Sequence, residues 1–188
     1  RGETDPSNST QRYSQQSGLG LAEASRAFPT NAAISGLRWR VQATDESRVP
    51  LVINGWPTQT AGGGFEVNVE YELTQGWSLR DVSITIPVPG DQPAELRASA
   101  GSATYSRRDG ALQWLIPLVD DDNGNATVEF VSAGASSEAA FFPIQVTFGS
   151  ANTFCKLDVP TVVSSEDAEV QMPFSKSAGL TVESYSVE

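Results

Sequence analysis

Residues 65–73 read FEVNVEYEL. Successive side chains of a β-strand point to opposite faces. Phe65, Val67, Val69, Tyr71 and Leu73 therefore line one face, and Glu66, Asn68, Glu70 and Glu72 line the other. Strict alternation over such a length specifies a half-buried strand. The apolar face needs a second layer to cover it. The acidic face is a solvated one, and it discourages edge-to-edge pairing between molecules.

The same period extends along the chain in both directions. Leu51–Asn54 precedes this segment. After it come Val82–Val88 with Val82, Ile84 and Ile86 in phase, Leu112–Ile116 with Leu112, Trp114 and Ile116 together, and Val128–Val131. Phe142–Phe148 places Phe142, Ile144, Val146 and Phe148 in phase, and Phe154–Val159 and Leu180–Val187 complete the set. Turn-forming runs separate them: TAGGG at 60–64, PGDQ at 89–92, RDG at 108–110, DDDNGN at 120–125 and Ser132–Ser137. Many short strands with turn signals between them predict an all-β, antiparallel, immunoglobulin-like sandwich. No long stretch has a helical period, and no internal repeat stands out. In the last strand Leu180 and Val182 share one parity while Tyr185 and Val187 share the other, which predicts a β-bulge near Glu183 or Ser184.

Residues 1–36 are different in kind. They are rich in Ser, Gln, Gly and Thr, and they read as a loop or linker arm with at most a short helical turn around Leu21–Ala27. The segment LRWRVQATDESRVPLVINGWPT at 37–58 then sets two tryptophans and three arginines into an acidic chain. Read as a strand, its start puts Leu37, Trp39 and Val41 on one face and Arg38, Arg40 and Gln42 on the other. Such a segment suits a surface that receives an aromatic, acidic peptide.

The chain has 188 residues, 39% of them hydrophobic, enough for a real core. Its 23 acidic residues outnumber 12 basic ones, for a formal net charge of −11, so a nucleic-acid partner is not expected. All the basic residues except Lys156 and Lys176 are arginine, the residue suited to planar contacts with carboxylates and aromatic rings. Cys155 is the sole cysteine; it alternates with Leu157 and Val159 and reads as a buried structural thiol in a reducing compartment. The chain shows no membrane-spanning run and no apolar signal. Neither sequon, at Asn8 or Asn125, is expected to be glycosylated.

Histidine is absent, which removes the usual general base and the commonest metal ligand. Ser–His–Asp and Cys–His catalysis are impossible within this chain, and so is a structural zinc site. Paired carboxylates could still serve a glycosidase, but nothing marks a pair. The Asp120–Asn125 turn fails as an EF-hand loop: with Gly124 sixth, Val119 falls first and Phe130 twelfth. GGG at 62–64 precedes a strand, so it lacks the helix N-terminus that a phosphate site uses. The expectation is therefore no enzyme, no catalytic residue, no cofactor and no metal.

An interaction surface remains. Trp39 and Trp114 are in phase with apolar neighbours and read as core. Trp56, in NGWPT, is the tryptophan expected to be exposed, and Trp77 is expected to cover an edge. Phe141 and Phe142 are adjacent, so in a strand one of them must leave the main core or lie against a second layer, and Pro143 belongs at a sheet edge or strand start. Arg107 and Arg108, beside Tyr105, form either a basic patch or a solvated hairpin tip.

Several blocks resemble one family closely: LRWRVQATDESRVPLVINGWPT, VNVEYEL, DVSITIPVPG, SRRDGALQWLIPLVD, FFPIQVTF and the terminal VESYSVE. Together they are similar, in order and spacing from about Ala27 onward, to the mu-homology domain of the delta subunit of coatomer, the COPI vesicle coat. In 1–26 only SGLGL is similar. The resemblance implies two elongated β-sandwich subdomains, one inserted in the other. It places 1–36 as arm and remnant of the first subdomain, 37–160 as the inserted one, and 161–188 as strands returning to the first. It also implies a fragment lacking the opening strands of the first subdomain, with sheet edges exposed near Leu180–Val187.

The implied function is non-enzymatic. Such domains bind tryptophan-based motifs with acidic flanks in an endoplasmic-reticulum tethering complex and in Arf GTPase-activating proteins. They sit beside other coatomer subunits in the cytoplasm, on Golgi membranes and COPI vesicles, attached to membrane only through the coat. The candidate peptide-binding residues are Arg38, Trp39, Arg40, Trp56 and Pro57, with Phe141, Arg107 and Arg108 as further members. The competing readings are a spacer domain of the coat without its own ligand, and a hydrolase using carboxylates.

Overall fold

The structure is a computed structural model, and it describes residues 2–3, 11–13, 19–21, 28–35, 38–40, 42, 48–154, 158–164 and 166–188. The chain divides into two compact units, one of residues 1–44 and 157–176, the other of 45–156 and 177–188.

The first unit contains short strands. β1 (Gly2–Glu3) pairs with β4 (Arg38–Trp39), and β2 (Gln11–Tyr13) pairs with β3 (Leu19–Leu21). The arm expected at 1–36 thus contains paired backbone, and Leu21 is in a strand rather than a helical turn. The rest of that turn lies outside the described residues, as do Leu37 and Val41. Farther along, Val163 bridges Gln171, and Met172 N–H donates to the Val162 carbonyl. Lys176 pairs with Asp158 and holds its carboxyl below the usual carboxylate range, chiefly through their hydrogen bond.

The second unit is an antiparallel sandwich. Its strands are β5 (Leu51–Gln59), β6 (Phe65–Leu73), β7 (Leu79–Pro87), β8 (Ala94–Ala98), β9 (Ser102–Ser106), β10 (Ala111–Val119), β11 (Asn125–Ser132), β12 (Ile144–Ser150) and β13 (Leu180–Val187). One sheet runs β5-β6-β11-β8 and the other β13-β12-β7-β10-β9. The FEVNVEYEL alternation becomes burial: Phe65, Val67, Val69 and Tyr71 are inside and Glu66 and Glu72 are exposed. Facing them from the other sheet are Val82, Ile84, Ile86, Leu112, Trp114, Ile144, Val146 and Phe148. The sheets interlock through Tyr71 and Trp114, whose ring centroids lie 5.3 Å apart.

Three expectations change. Phe154–Val159 is no strand among the described residues: Phe154 turns its ring onto Trp77, 5.0 Å away, and Cys155 lies outside those residues. Residues 161–188 do not form one block. Residues 161–176 belong to the first unit, whereas β13 pairs along its length with β12 in the sandwich, so this strand has a partner. The third change concerns Phe141 and is described with the site. The expected bulge is present: Val146 faces Tyr185 and Phe148 faces Val182, leaving one extra residue on β13 around Glu183 and Ser184.

Tyr71 is fully buried, its hydroxyl donating to the Asn123 carbonyl at 3.0 Å in the Asp120–Asn125 turn. Burial raises its phenol above the ordinary value. The folded pKa lies above the unfolded one, so the stabilisation is complete below pH ~10 and is lost as pH rises through the folded value. Tyr71→Phe should therefore show a shallower fall in urea midpoint than the parent between pH about 9 and 11. Parallel falls would contradict this assignment.

Candidate functional site

The residues singled out by sequence fall in both units. Arg38 and Trp39 form β4 and Arg40 follows it; both arginines are exposed, and the Trp39 side chain lies outside what the structure describes. In the sandwich, Trp56 and Pro57 lie on edge strand β5, paired with Asn68 and Val67. Adjacent strand residues face opposite ways, so Trp56 stands on the outer face, 51% exposed, and Pro57 turns toward the core side, half-buried. Proline is tolerated here because an edge strand needs no ladder bond on its free side.

The surroundings of Trp56 are acidic. Trp56, Asn68, Glu129 and Arg97 stand in one row across the four-stranded sheet. Asn68 Nδ2 donates to Glu129 Oε1 at 3.2 Å. A cavity of about 280 Å³ beside the indole is lined by Thr58, Glu66, Val67, Asn68 and Glu129. The acidic flank of a peptide would meet like charge here.

Arg107 and Arg108 occupy the tight turn between β9 and β10, both exposed. Ser106 Oγ and Asp109 Oδ2 share a 2.5 Å hydrogen bond that closes the turn. Arg107 is paired with Asp91 at 3.1 Å, with both side chains open to solvent. Such a pair contributes little to stability and leaves the guanidinium free to exchange partners. No hydrogen bond or ion pair engages Arg108 among the described residues. The cavity beside Trp56 is lined by neither of these arginines.

Phe141 is corrected. It is 1% exposed and packs edge-on against Phe65 and Phe130, with centroids 5.6 and 6.1 Å away. The reason is local. Phe141 ends a 3₁₀ turn, Glu138–Phe141, so strand alternation does not apply to the pair, and Phe142 also packs inward against Gly55. Phe141 is a core residue and cannot contact a ligand.

Sequence reading missed a second cavity. A cleft of about 560 Å³ opens over the β7–β12–β13 part of the five-stranded sheet, bordered by Arg80, Asp81, Gly149, Gly179 and Glu183. Its signal in the sequence was Gly149 inside an apolar strand together with the phase slip at Glu183. An isolated strand glycine marks a bulge or a close backbone approach.

Residues 27–187 match the adaptor complexes medium subunit family. The chain belongs to that family. Coatomer subunit delta-1 of Oryza sativa subsp. japonica is 33% identical over 98% of this chain, which corresponds to 35% of that protein. Coatomer subunit delta of Arabidopsis thaliana is also 33% identical over 98% of this chain and 36% of its own length. The chain thus spans about a third of the length of the curated relatives it matches. Among solved structures, the yeast delta-COP-I mu-homology domain superposes with a TM-score of 0.69 at 26% identity, covering all of this chain and 76% of that one. The same yeast domain complexed with Dsl1 WxWxV peptide gives 0.71 at 25% identity, with the same coverage. The fold of this medium-subunit chain is the mu-homology fold. Among the described residues no group of three or more Cys, Asp or Glu could hold a metal ion, and no helix is long and apolar enough to cross a membrane.

Proposed function

We propose that this chain is a non-enzymatic peptide-docking module of a COPI-type vesicle coat, taking short tryptophan-bearing segments with acidic flanks. The observation that carries the reading is the likeness to a yeast delta-COP-I mu-homology domain bound to a Dsl1 WxWxV peptide. On this reading the partners are other coatomer subunits, the endoplasmic-reticulum tethering complex and Arf GTPase-activating proteins. The location is the cytoplasm, peripheral on Golgi membranes and vesicles through the coat. A few buried aromatics can supply most of the binding energy, and surrounding charge raises the encounter rate. The candidate contacts on this chain are Trp56, Pro57, Arg107 and Arg108 in the sandwich, and Arg38, Trp39 and Arg40 in the other unit. Glu66 and Glu129 beside Trp56 weigh against an acidic flank there, so the arginines are the expected partners of the flank.

Calorimetric titration with a WxWxV peptide carrying acidic flanks tests the reading. Trp56→Ala should weaken binding by about tenfold or more if the indole is an anchor. Arg107→Ala with Arg108→Ala, and separately Arg38→Ala with Arg40→Ala, should reveal which patch meets the flank through a smaller salt dependence of affinity. A parent chain that releases no heat and shows no saturation would favour a spacer domain without a ligand of its own.

A further inference from the structure

Two irregularities fall at the same level of the five-stranded sheet, on either side of Phe148. Opposite β12, strand β7 carries one extra residue between Arg80 and Ser83, and β13 carries one between Val182 and Tyr185. Within the β7 bulge Asp81 holds φ at 53°, the left-handed region that residues with a side chain seldom adopt. Paired bulges re-aim side chains and interrupt the pleat, and they recur beside functional sites. Here they turn Arg80 and Asp81, two consecutive residues, both to the exposed side and open the cleft of about 560 Å³ between them and Glu183.

Arg80 lies in a groove made by missing side chains. A Cβ at Gly149 would come within 3.5 Å of the Arg80 Cγ and 3.6 Å of its Nε, and one at Gly179 would stand 4.0 Å from its Nη2 and 3.2 Å from the Ser150 carbonyl oxygen. The stem therefore rests across β12, which positions the guanidinium at the cleft. Among the described residues no hydrogen bond or ion pair engages that guanidinium, although Asp81 and Glu183 border the same cleft. Arg107, by contrast, has Asp91 at 3.1 Å.

We propose that this cleft binds one carboxylate side chain, Asp or Glu, of an extended partner polypeptide, with Arg80 as its anchor. A positioned guanidinium offers a planar fork of donors that matches a carboxylate in two parallel bonds. Thr147 and Thr181 line the same cavity, and a threonine hydroxyl can donate to such a group. Geometry selects the ligand. A carboxylate presents two coplanar oxygens that match the fork, while Asp81 and Glu183 border the same cleft and weaken the binding of any anion. The inference does not depend on tryptophan-peptide binding, because no aromatic pocket takes part in it.

The test is a titration of the isotope-labelled chain, followed by nuclear magnetic resonance, with a capped peptide alternating serine and glutamate. Its glutamine-for-glutamate counterpart is the control. The amides of Gly149, Gly179 and Thr181 and the Nε–H of Arg80 should shift saturably with the first peptide and stay put with the second. Arg80→Gln should weaken binding by about tenfold, and Arg80→Lys by less, because lysine lacks the fork. Glu183→Gln should tighten it by about twofold by removing a like charge, and it gives a reading even if Arg80→Gln fails to fold. Shifts confined to other parts of the sheet would overturn the proposal. So would unchanged affinity in a folded Arg80→Gln chain, or unchanged affinity in Glu183→Gln. Inorganic phosphate moving the same resonances at equal or lower concentration would overturn the carboxylate assignment. Since the probe contains no tryptophan, its failure leaves the docking function separately testable.

Discussion

Trp114→Ala will remove about 3–5 kcal/mol of stability, a large fraction of what a marginally stable domain has. Trp114 is wholly buried on β10, and its ring meets Tyr71 from the opposite sheet at 5.3 Å. Its indole N–H donates to the Ala100 carbonyl at 2.7 Å. Truncation opens a cavity between two sheets whose backbones are held by ladder bonds and cannot collapse into it. It also deprives Ala100, in the segment that carries the chain from β8 to β9, of the donor that holds it in place. Trp114→Phe separates the two contributions: it keeps most of the volume and loses the hydrogen bond, for about 1–3 kcal/mol. Urea titration followed by far-ultraviolet circular dichroism measures both. A loss under about 1 kcal/mol for the alanine variant would mean that the indole does not bridge the sheets.

How much was legible follows from what each strand touches. β6 and β13 appear in the sequence with the bounds they have in the fold, because each alternates cleanly or slips phase at a single bulge. AELRA and SATYS, which become β8 and β9, were not recognised. They are edge strands, largely exposed on their outer sides, so burial imposes no apolar rhythm on them. β5 runs on through Gly55 and Pro57, residues that usually break strands. Phe142 packs into the space at Gly55, where a Cβ would lie 3.2 Å from its ring, and the free edge accepts Pro57.

The candidate site was less legible. Exposure of Trp56 could be read from its turn-like neighbours, but its acidic surroundings come from β6 and β11, which only the register brings beside it. Phe141 was misplaced because one 3₁₀ turn overrides alternation. Arg80 could not be singled out at all. Its position depends on a bulge in its own strand and on two glycines distant in sequence. Side chains that act where pairing is irregular leave little trace in a periodic pattern, which is a rule about regular pairing.

Gly101→Ala will destabilise the sandwich by about 3 kcal/mol or more, far beyond the usual effect of adding one methyl group. Gly101 has φ of +69°, and a Cβ there would sit 2.3 Å from the Leu115 carbonyl oxygen and 3.1 Å from Ile116 Cγ1. The left-handed conformation alone costs an alanine about 1–2 kcal/mol. The remainder is steric, because the obstructing atom belongs to the backbone of β10 and cannot rotate away. The segment cannot retreat either. Ser99 N–H donates to the Thr127 carbonyl at 2.9 Å, Thr127 N–H donates to Ser99 Oγ at 2.8 Å, and the Ala100 carbonyl is held by Trp114. Gly110 supplies the control. Its φ is +60° but nothing lies within 4 Å of its Cβ position, so Gly110→Ala should lose only the conformational part, about 1 kcal/mol. Equal losses at the two glycines, read from urea midpoints, would show that β10 moves to admit the methyl and that the passage between the sheets is looser than its hydrogen bonds imply. Gly101→Ala acts on the crossover from β8 to β9 and Trp114→Phe removes the donor to its neighbour Ala100, so combining them should depart from additivity by more than about 0.5 kcal/mol, which links that crossover to the largest buried ring of the sandwich.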